Sequence, residues 1–226
     1  MFYDPGHKKE YSSFLEALSW KFEKPQLVAV VGAGGKTTII HMLAEELSAL
    51  GYRVVITTTT HMMKPERDCY EWKNMPKLQP GDVIYLGADC ENGKIMKPKE
   101  LSFVTLKERA DLILVEADGS KKKPLKVPAE HEPVIPKETD LVIGVLGYHS
   151  VGRCVKEVSH RVADVEAFLQ KKGEDLVTVE DLKAISFHKQ GLLKQVKSPY
   201  RIIWNRWNHE AIEWDREESL ILCEER

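Results

Sequence analysis

The chain has 226 residues, enough for one α/β domain that buries a substantial hydrophobic core. Hydrophobic residues make up 42% of the sequence and charged residues 30%, which is typical of globular proteins and excludes a disordered chain. The 33 lysines and arginines nearly balance the 35 aspartates and glutamates. Net charge therefore favours neither nucleic acid nor a membrane, and we expect neither as a partner.

The four cysteines are far apart in the sequence, and none forms a Cys-x-x-Cys pair: Cys69, Cys90, Cys154 and Cys223. Their spacing predicts neither a zinc site nor a disulfide framework. The first residues are polar and lack the apolar core of a signal peptide. No apolar run approaches the ~20 residues of a membrane span. We therefore expect a cytoplasmic protein with reduced thiols.

The first half of the chain predicts a strand–helix–strand unit. Residues 13–16 have the Ser-x-x-Glu form of a capping box and predict a short helix that ends near Lys21. The apolar run at residues 27–31 predicts a strand buried on both faces. A glycine loop follows, and apolar residues then recur at helical spacing from residue 40 until Gly51 stops the helix. With a second strand at residues 53–57, this order is that of a βαβ unit.

Later apolar runs continue the pattern. Five of them predict strands, at residues 82–86, 112–116, 141–146, 201–204 and 219–223. Three segments predict helices, at residues 162–171, at 179–185 with Thr178 as N-cap, and at 188–196. The elements predict one α/β domain over residues 1–226, with a mainly helical stretch at about 150–197. We expect a P-loop NTPase-like, three-layer α/β/α fold around a mostly parallel sheet.

The sequence Gly-Ala-Gly-Gly-Lys-Thr-Thr lies between the first strand and its helix. A triphosphate needs backbone N–H donors at a helix N-terminus and a lysine that offsets the charge of the outer phosphates. Glycines permit the close approach of the phosphates to the backbone. We therefore predict nucleotide binding by seven residues: Gly32, Ala33, Gly34, Gly35, Lys36, Thr37 and Thr38.

The loop departs from the full G-x-x-x-x-G-K-[ST] pattern, because Val30 stands where that pattern has its first glycine. The alternative interpretation is a tight glycine turn that leaves Lys36 solvated. The order of strand, glycines, Gly-Lys-Thr and amphipathic helix favours nucleotide binding. Within it, Lys36 is the predicted catalytic cation and Thr37, directly after the lysine, the predicted Mg²⁺ ligand.

A second strand supplies two carboxylates. The run at residues 112–116 ends in Glu116, and Asp118 follows two positions later, so both side chains lie on one face if the strand continues. We predict that Glu116 joins Thr37 at Mg²⁺ and that Asp118 contacts the metal shell or orients the attacking group. The alternative is that one carboxylate only caps the turn at Gly119.

Four threonines at residues 57–60 follow the second strand. In open parallel sheets, ligands bind outside the carboxyl ends of the strands. Thr58 and Thr59 are therefore candidate contacts for a second substrate or for metal-bound water. The alternative is that they are ordinary β-branched residues that lead into a turn.

The segment at residues 121–136 carries four prolines and predicts a long irregular loop, of a kind that is often functional: Pro124, Pro128, Pro133 and Pro136. A histidine between two carboxylates in this loop could act as a base or a ligand. We therefore treat Glu130, His131 and Glu132 as candidates for second-substrate binding. The alternative is a histidine in a surface salt bridge.

Arg161 is a candidate catalytic residue, since an internal arginine can bind the γ-phosphate through its planar guanidinium. The alternative for Arg161 is a salt bridge at the start of a helix.

Several segments together resemble the YqeC family, whose members are regarded as accessory proteins of selenium-dependent molybdenum hydroxylases. The resemblance extends to about residue 204 and is carried by residues 31–38, 57–60, 116–120, 124–126, 128–136, 144–147 and 160–161. The phosphate loop is shared by many families, whereas Glu-Ala-Asp-Gly-Ser followed by Pro-Ala-Glu-His-Glu-Pro is much more specific. The resemblance implies a P-loop protein that matures a selenium-containing molybdenum cofactor or hydroxylase.

The resemblance also bears on ligands. It implies a molybdopterin-type cofactor or a molybdenum hydroxylase as a partner. Lys126 with residues 121–123 could meet such an anionic second substrate, and the alternative is that this run of charges is a solvated face. P-loop relatives can carry Asn-Lys-x-Asp where this chain has Asn205 to Asn208. An asparagine amide is a poorer acceptor pair for guanine than a carboxylate. Because Asn205 matches the first position of that motif, we expect it in the nucleotide site. Because Asn208 replaces the aspartate, we expect ATP rather than GTP as the ligand.

The sequence thus predicts a Mg²⁺-dependent NTP hydrolase or a phosphoryl or nucleotidyl transferase. The alternative, from a different class, is a slow or non-catalytic nucleotide-gated chaperone for cofactor insertion.

Overall fold

The computed structural model describes residues 1–22, 25–214 and 220–224. Its strands, in chain order, are β1 (Phe2–Asp4), β2 (Lys9–Tyr11), β3 (Gln26–Gly32), β4 (Val54–Thr58), β5 (His61–Met63), β6 (Cys69–Tyr70), β7 (Val83–Leu86), β8 (Ala88–Cys90), β9 (Lys94–Met96), β10 (Leu112–Glu116), β11 (Leu125–Lys126), β12 (Leu141–Gly147), β13 (Ser159–His160), β14 (Tyr200–Trp207) and β15 (Leu220–Glu224). Its helices are α1 (Phe14–Ala17), α2 (Lys36–Ala49), α3 (Phe103–Arg109), α4 (Val155–Val158), α5 (Val162–Leu169) and α6 (Val179–Phe187).

A large sheet runs through the molecule in the strand order β2-β1-β15-β14-β12-β3-β10-β4-β7-β6. From β15 to β6 every neighbouring pair is parallel, and only β1 and β2 join the edge in antiparallel pairs. The prediction of an α/β protein with a mostly parallel sheet is confirmed. A three-stranded antiparallel sheet, β5-β9-β8, and the pair β11-β13 lie outside this large sheet.

Helices cover both faces of the sheet because successive strand residues point to opposite sides. In β3, Val28 packs in the same hydrophobic cluster as Ile40 of α2, whereas Leu27 packs in the cluster of Leu106 of α3. β14 shows the same alternation, since Trp204 packs in the cluster that contains α5 and α6. Apart from Gln26 at the start of β3 and Glu116 at the end of β10, the central strands β3, β10 and β12 carry no polar side chains, because both of their faces are buried.

Some predicted elements differ from the structure. The first helix ends at Ala17 rather than near Lys21, although Ser13 does accept the N–H of Glu16 as its N-cap. The helix predicted at residues 188–196 is wrong, because the chain turns back there and the N–H of Leu192 donates to the carbonyl of Ile185 at 2.8 Å. A side chain at Gly191 would meet that carbonyl at 2.0 Å, so glycine makes this close return possible.

The helices predicted at residues 162–171 and 179–185 agree with α5 and α6 to within two residues, and Thr178 and Asp181 form a full capping box at α6. The predicted last strand is present as β15, while Ser219 lies outside the described residues. Within the described ranges, no helix has the length and apolar content needed to cross a membrane.

Candidate functional site

The predicted site residues meet at one edge of the sheet because β10 lies between β3 and β4, parallel to both. The carboxyl ends of these three strands therefore lie side by side. Glu116 ends β10, the glycine loop follows Gly32 at the end of β3, and Thr58 ends β4. Such edges are where α/β proteins bind ligands.

The loop that follows β3 requires its glycines. Gly32, Gly34 and Gly35 all have positive φ angles, of 96°, 75° and 133°. A side chain at Gly32 would meet the carbonyl oxygen of Val145 at 2.2 Å, and one at Gly34 would meet the amide nitrogen of Gly147 at 2.3 Å. The loop is therefore packed against the end of β12 with no room for a Cβ.

Three backbone N–H groups of the loop already have acceptors within the protein. The N–H of Gly32 donates to both carboxylate oxygens of Asp118 at 3.1 Å, and that of Gly34 donates to the carbonyl of Lys123 at 3.2 Å. The N–H of Ala33 donates to the carbonyl of Val145 at 2.8 Å. The loop amides available to an anion are therefore those at the start of α2, which have no intrahelical acceptor and whose N-cap, Gly35, has no side chain.

The side chain of Lys36 folds over this loop and is only 4% exposed. Its Nζ donates to the carbonyl of Gly32 at 2.8 Å and to Oγ of Ser120 at 3.2 Å. It also lies 3.5 Å from Oδ1 of Asp118. The lysine is thus buried among three oxygen acceptors rather than solvated, which disfavours the alternative of an idle surface side chain.

Glu116 and Thr37 come together as the sequence predicts. Oγ1 of Thr37 lies 3.5 Å from Oε2 of Glu116, and the carboxylate is 9% exposed. Burial raises the pKa of Glu116, and the nearby Asp118 raises it further, while Lys36 and Thr37 oppose the shift. A nearby cation would favour the ionised form of this carboxylate. Within the described ranges, no three His, Cys, Asp or Glu side chains form a metal-binding cluster.

Asp118 is fully buried and connects the glycine loop to the proline-rich segment. Its Oδ2 lies 3.1 Å from Nζ of Lys126, which is also fully buried. Nζ of Lys126 in turn donates to Oε2 of Glu132 at 2.8 Å and to the carbonyl of Gly119 at 2.7 Å. Lys126 is therefore an internal counter-ion. The prediction that it contacts an anionic second substrate is wrong, because its side chain is buried.

Glu132 is held on its other side by Arg161. The guanidinium donates to both carboxylate oxygens, at 2.6 Å from Nη1 and 2.9 Å from Nη2. Burial raises the pKa of Glu132, but hydrogen bonds from Arg161 and Lys126 outweigh it and lower that pKa to about 2. Arg161 thus makes the salt bridge that was its alternative interpretation, and its link to Lys36 runs through Glu132, Lys126 and Asp118.

The remaining candidates divide into buried and exposed groups. Oγ1 of Thr58 donates to the carbonyl of Glu116 at 2.8 Å, and Oγ1 of Thr59 donates to the carbonyl of Val134 at 2.7 Å. Thr59 therefore ties the proline-rich segment to the end of β4. Glu130 and His131 are exposed on that segment.

Asn205, at the end of β14, lies against the glycine loop. Its Nδ2 donates to the carbonyl of Gly34 at 2.9 Å, and a side chain at Gly35 would collide with it at 2.0 Å. Asn205 therefore supports the loop from behind, whereas Asn208 is exposed. Sequence reasoning placed Asn205 near the ligand but had no signal for this contact.

Contacts from residues 118–124 to the loop were also absent from the sequence prediction. Besides Asp118, this segment supplies Oγ of Ser120 to Lys36 and the carbonyl of Lys123 to Gly34. The carbonyl of Pro124 also accepts the N–H of Gly147, at the end of β12 beside the loop. The Asp-Gly-Ser that follows β10 was the one available signal. It could be recognised as a motif, but its partners across the sheet edge could not.

Comparison with known proteins identifies the family of the chain. The model of the YqeC protein family matches residues 28–163, which include Lys36, Asp118, Lys126, Glu132 and Arg161. The chain belongs to the YqeC family. It is 36% identical over 193 residues to the uncharacterized protein YqeC of Escherichia coli (strain K12), an alignment that covers 80% of this chain and 75% of that protein. No solved structure matches the chain.

The YqeC resemblance inferred from the sequence is thereby confirmed. The three residues that link Lys36 to Arg161, which are Asp118, Lys126 and Glu132, lie inside the matched region, and Asn205 lies outside it.

Proposed function

We propose that this YqeC family member is a Mg²⁺-dependent nucleoside triphosphate-binding protein that hydrolyses its nucleotide or transfers a group from it. The observation that supports this most directly is the convergence of Lys36, Glu116 and Asp118 at the carboxyl end of β3 and β10. A lysine and two carboxylates beside a glycine loop and a helix N-terminus are the parts that phosphoryl transfer requires.

The phosphate groups fit the N-terminus of α2. The helix is 14 residues long, begins at Lys36 and has an N-cap glycine that leaves its first N–H groups to an outside acceptor. The helix dipole adds a partial positive charge at this end. Lys36 adds a full positive charge, and nucleotide phosphate oxygens would replace the carbonyl and hydroxyl oxygens that it contacts here.

The side chains of Thr37 and Glu116 fit Mg²⁺. Both offer hard oxygen donors, and they already lie within 3.5 Å of each other. Mg²⁺ is commonly held by one or two protein oxygens, with water and substrate phosphates as the other ligands. When bound, the ion would neutralise charge on the phosphate oxygens.

In hydrolysis, a water oxygen forms a bond to the γ-phosphorus as the bond to the bridging oxygen breaks, and the water proton leaves with the products. Lys36 stabilises the charge that develops on the transferred phosphoryl group. Asp118, fixed against Gly32, orients the attacking group. In transfer, an oxygen of the second substrate takes the place of water.

We further propose ATP as the nucleotide. The position that favours guanine in related loops carries Asn208, which is exposed, while Asn205 is committed to the carbonyl of Gly34. For the second substrate, family membership supports a molybdopterin-type cofactor or a selenium-containing molybdenum hydroxylase. The exposed Glu130 and His131 are the candidate contacts for it on the proline-rich segment.

One observation favours the second candidate function, a nucleotide-gated chaperone. The N–H groups of Gly32 and Gly34 are engaged by Asp118 and Lys123, so phosphate oxygens that took those donors would displace residues 118–124. Movement of this segment would pass to the proline-rich loop that follows it. A gate of this kind would work with slow turnover.

The experiment combines ligand scanning with turnover. Thermal unfolding with Mg-ATP, Mg-GTP and molybdopterin nucleotides names the ligand, and we expect ATP to stabilise the protein most. A stoichiometric assay with the cofactor then separates the functions, since phosphorylation or adenylylation of that molecule excludes the chaperone. Lack of stabilisation by every nucleotide would contradict the proposal.

A further inference from the structure

A chain of alternating charges leads from the glycine loop to the protein surface. It runs from Lys36 through Asp118, Lys126 and Glu132 to Arg161, and each carboxylate lies between two cations. The first four side chains are buried, and the last is about one-third exposed. Such a buried array is not explained by stability, because the desolvation of its charges offsets much of their attraction.

Lys126, in the middle of this series of charged side chains, is held by three oxygen atoms of the protein. The ammonium group of Lys126 donates hydrogen bonds to Glu132 and to the carbonyl of Gly119, and it forms an ion pair with Asp118 at 3.1 Å. Glu132 accepts from Lys126, twice from Arg161 and from the N–H of Ala129. Lys126 therefore cannot turn toward one carboxylate without weakening its contact with the other.

The position of the Asp118 carboxylate depends on how Lys126 is held. It lies between the N–H of Gly32 and Lys36 on one side and Lys126 on the other. If Lys126 lost Glu132, its full positive charge would draw Asp118 away from the glycine loop. The position of Asp118 beside Lys36 thus depends on a carboxylate with which it makes no direct contact.

We infer that Lys126, Glu132 and Arg161 are positioning residues, which hold the carboxylate of Asp118 in register with the phosphate loop. The inference rests on the proposed function and deepens it, because it assigns the proline-rich segment a role in turnover. Glu132 fixes Lys126, Lys126 fixes Asp118, and Arg161 keeps Glu132 ionised and correctly oriented. Arg161 acts through this chain and not as a direct phosphate ligand.

The test compares two arginine–carboxylate pairs that are both bidentate. Arg53 makes a bidentate pair with Asp111, at 2.6 and 3.0 Å, and is 32% exposed, the same as Arg161. Asp111 directly precedes β10, so this pair lies at the opposite end of the strand from Glu116. R53Q is therefore the control for R161Q, since both variants lose one bidentate arginine–carboxylate pair whose arginine is 32% exposed.

Steady-state turnover and nucleotide affinity are measured for the wild type and for R161Q, R161K, E132Q and R53Q. We expect E132Q and R161Q to lower kcat by about 10- to 100-fold, as changes in supporting shells do, with the Kd for Mg-ATP within about threefold. R161K should recover part of kcat, because a lysine can still donate one bond to Glu132. R53Q should change kcat by less than about twofold.

The inference is overturned if E132Q and R161Q keep the wild-type kcat, or lose no more of it than R53Q. It is also overturned if Kd weakens as much as kcat falls, which would show a general loss of the site. A wild-type protein that binds no nucleotide would instead contradict the proposed function itself. Thermal unfolding of each variant confirms that the compared proteins are folded.

Discussion

The two ends of the parallel sheet use the same kind of bond with different partners. At the amino end, the carboxylate of Asp111 accepts the N–H of Arg53 at 2.8 Å, and that of Asp140 accepts the N–H of Leu27 at 2.7 Å. At the carboxyl end, Asp118 accepts the N–H of Gly32 at 3.1 Å. In each case an aspartate next to one strand fixes the backbone of a neighbouring strand.

The ends differ in what surrounds the carboxylate. Asp111 and Asp140 are 26% and 39% exposed, and each pairs with one cation in contact with water. Asp118 is 0% exposed and lies between two buried lysines. Exposed pairs contribute little and cost little, whereas buried ones are costly to desolvate. Because neighbouring strands are joined at the amino end without buried charges, the buried charges at the carboxyl end have a role other than joining strands.

The largest effect should follow removal of the central cation. K126M leaves Asp118 and Glu132 buried with one fewer positive charge, and we expect a loss of about 3–5 kcal/mol in the free energy of unfolding. K107M removes the lysine beside Asp140 and should cost about 1 kcal/mol or less. Urea denaturation of both variants measures the difference, and equal losses would remove the contrast between the two ends.

A smaller effect is expected at the proposed metal site. T37V removes the hydroxyl beside Glu116 but keeps the side-chain shape, and it should weaken Mg-nucleotide binding about tenfold, or ~1.4 kcal/mol. T37S keeps the hydroxyl and should bind nearly as the wild type does. Titration calorimetry with and without Mg²⁺ measures this, and an effect of T37V that is the same without Mg²⁺ would exclude the metal role.

Acid should act more strongly on the carboxyl end. The pKa of Glu132 is lowered from 4.5 to about 2, so its stabilising contribution is complete above pH 4.5 and is lost as pH falls toward 2. Between pH 6 and pH 3, the wild type should lose about 1 kcal/mol more stability than E132Q, with allowance for solvent screening. Denaturant midpoints at the two pH values test this, and parallel losses in both proteins would contradict it.

The smallest effect is expected on nucleotide affinity when Asn205, which supports the glycine loop, is replaced. N205A removes the hydrogen bond to the carbonyl of Gly34 and should weaken nucleotide binding by about 0.5–1 kcal/mol. Nucleotide selectivity for ATP over GTP should not change, because Asn205 contacts the loop rather than a base. A changed ratio of the two affinities would place Asn205 beside the base instead.

Much of the fold could be predicted because the central strands are continuous apolar runs separated by helical patterns. The strands β3, β10 and β12 and the helix α2 follow from local periodicity. The antiparallel edge strands β1 and β2 could not be predicted, since three-residue strands carry little periodicity. In addition, β1 joins the sheet through β15, whose residues lie more than 200 positions away in the sequence, and β2 pairs only with β1.

The site was predictable in its residues more than in its contacts. Lys36, Thr37, Glu116 and Asp118 follow from loop chemistry and from alternation along one strand. The pairing of Glu132 with Lys126 and Arg161 depends on how the proline-rich segment folds across the sheet edge, which no short-range pattern encodes. For the same reason Lys126 looked like a surface lysine in the sequence, although it is fully buried.

Binding of a triphosphate by Lys36 and its loop is tested most directly by the thermal and chemical stability of the wild type and K36A with Mg-ATP. At about 100 times Kd, the wild type should gain ~2.7 kcal/mol, and K36A should gain almost nothing. Equal stabilisation of both proteins by Mg-ATP, or of neither, would contradict triphosphate binding at this loop.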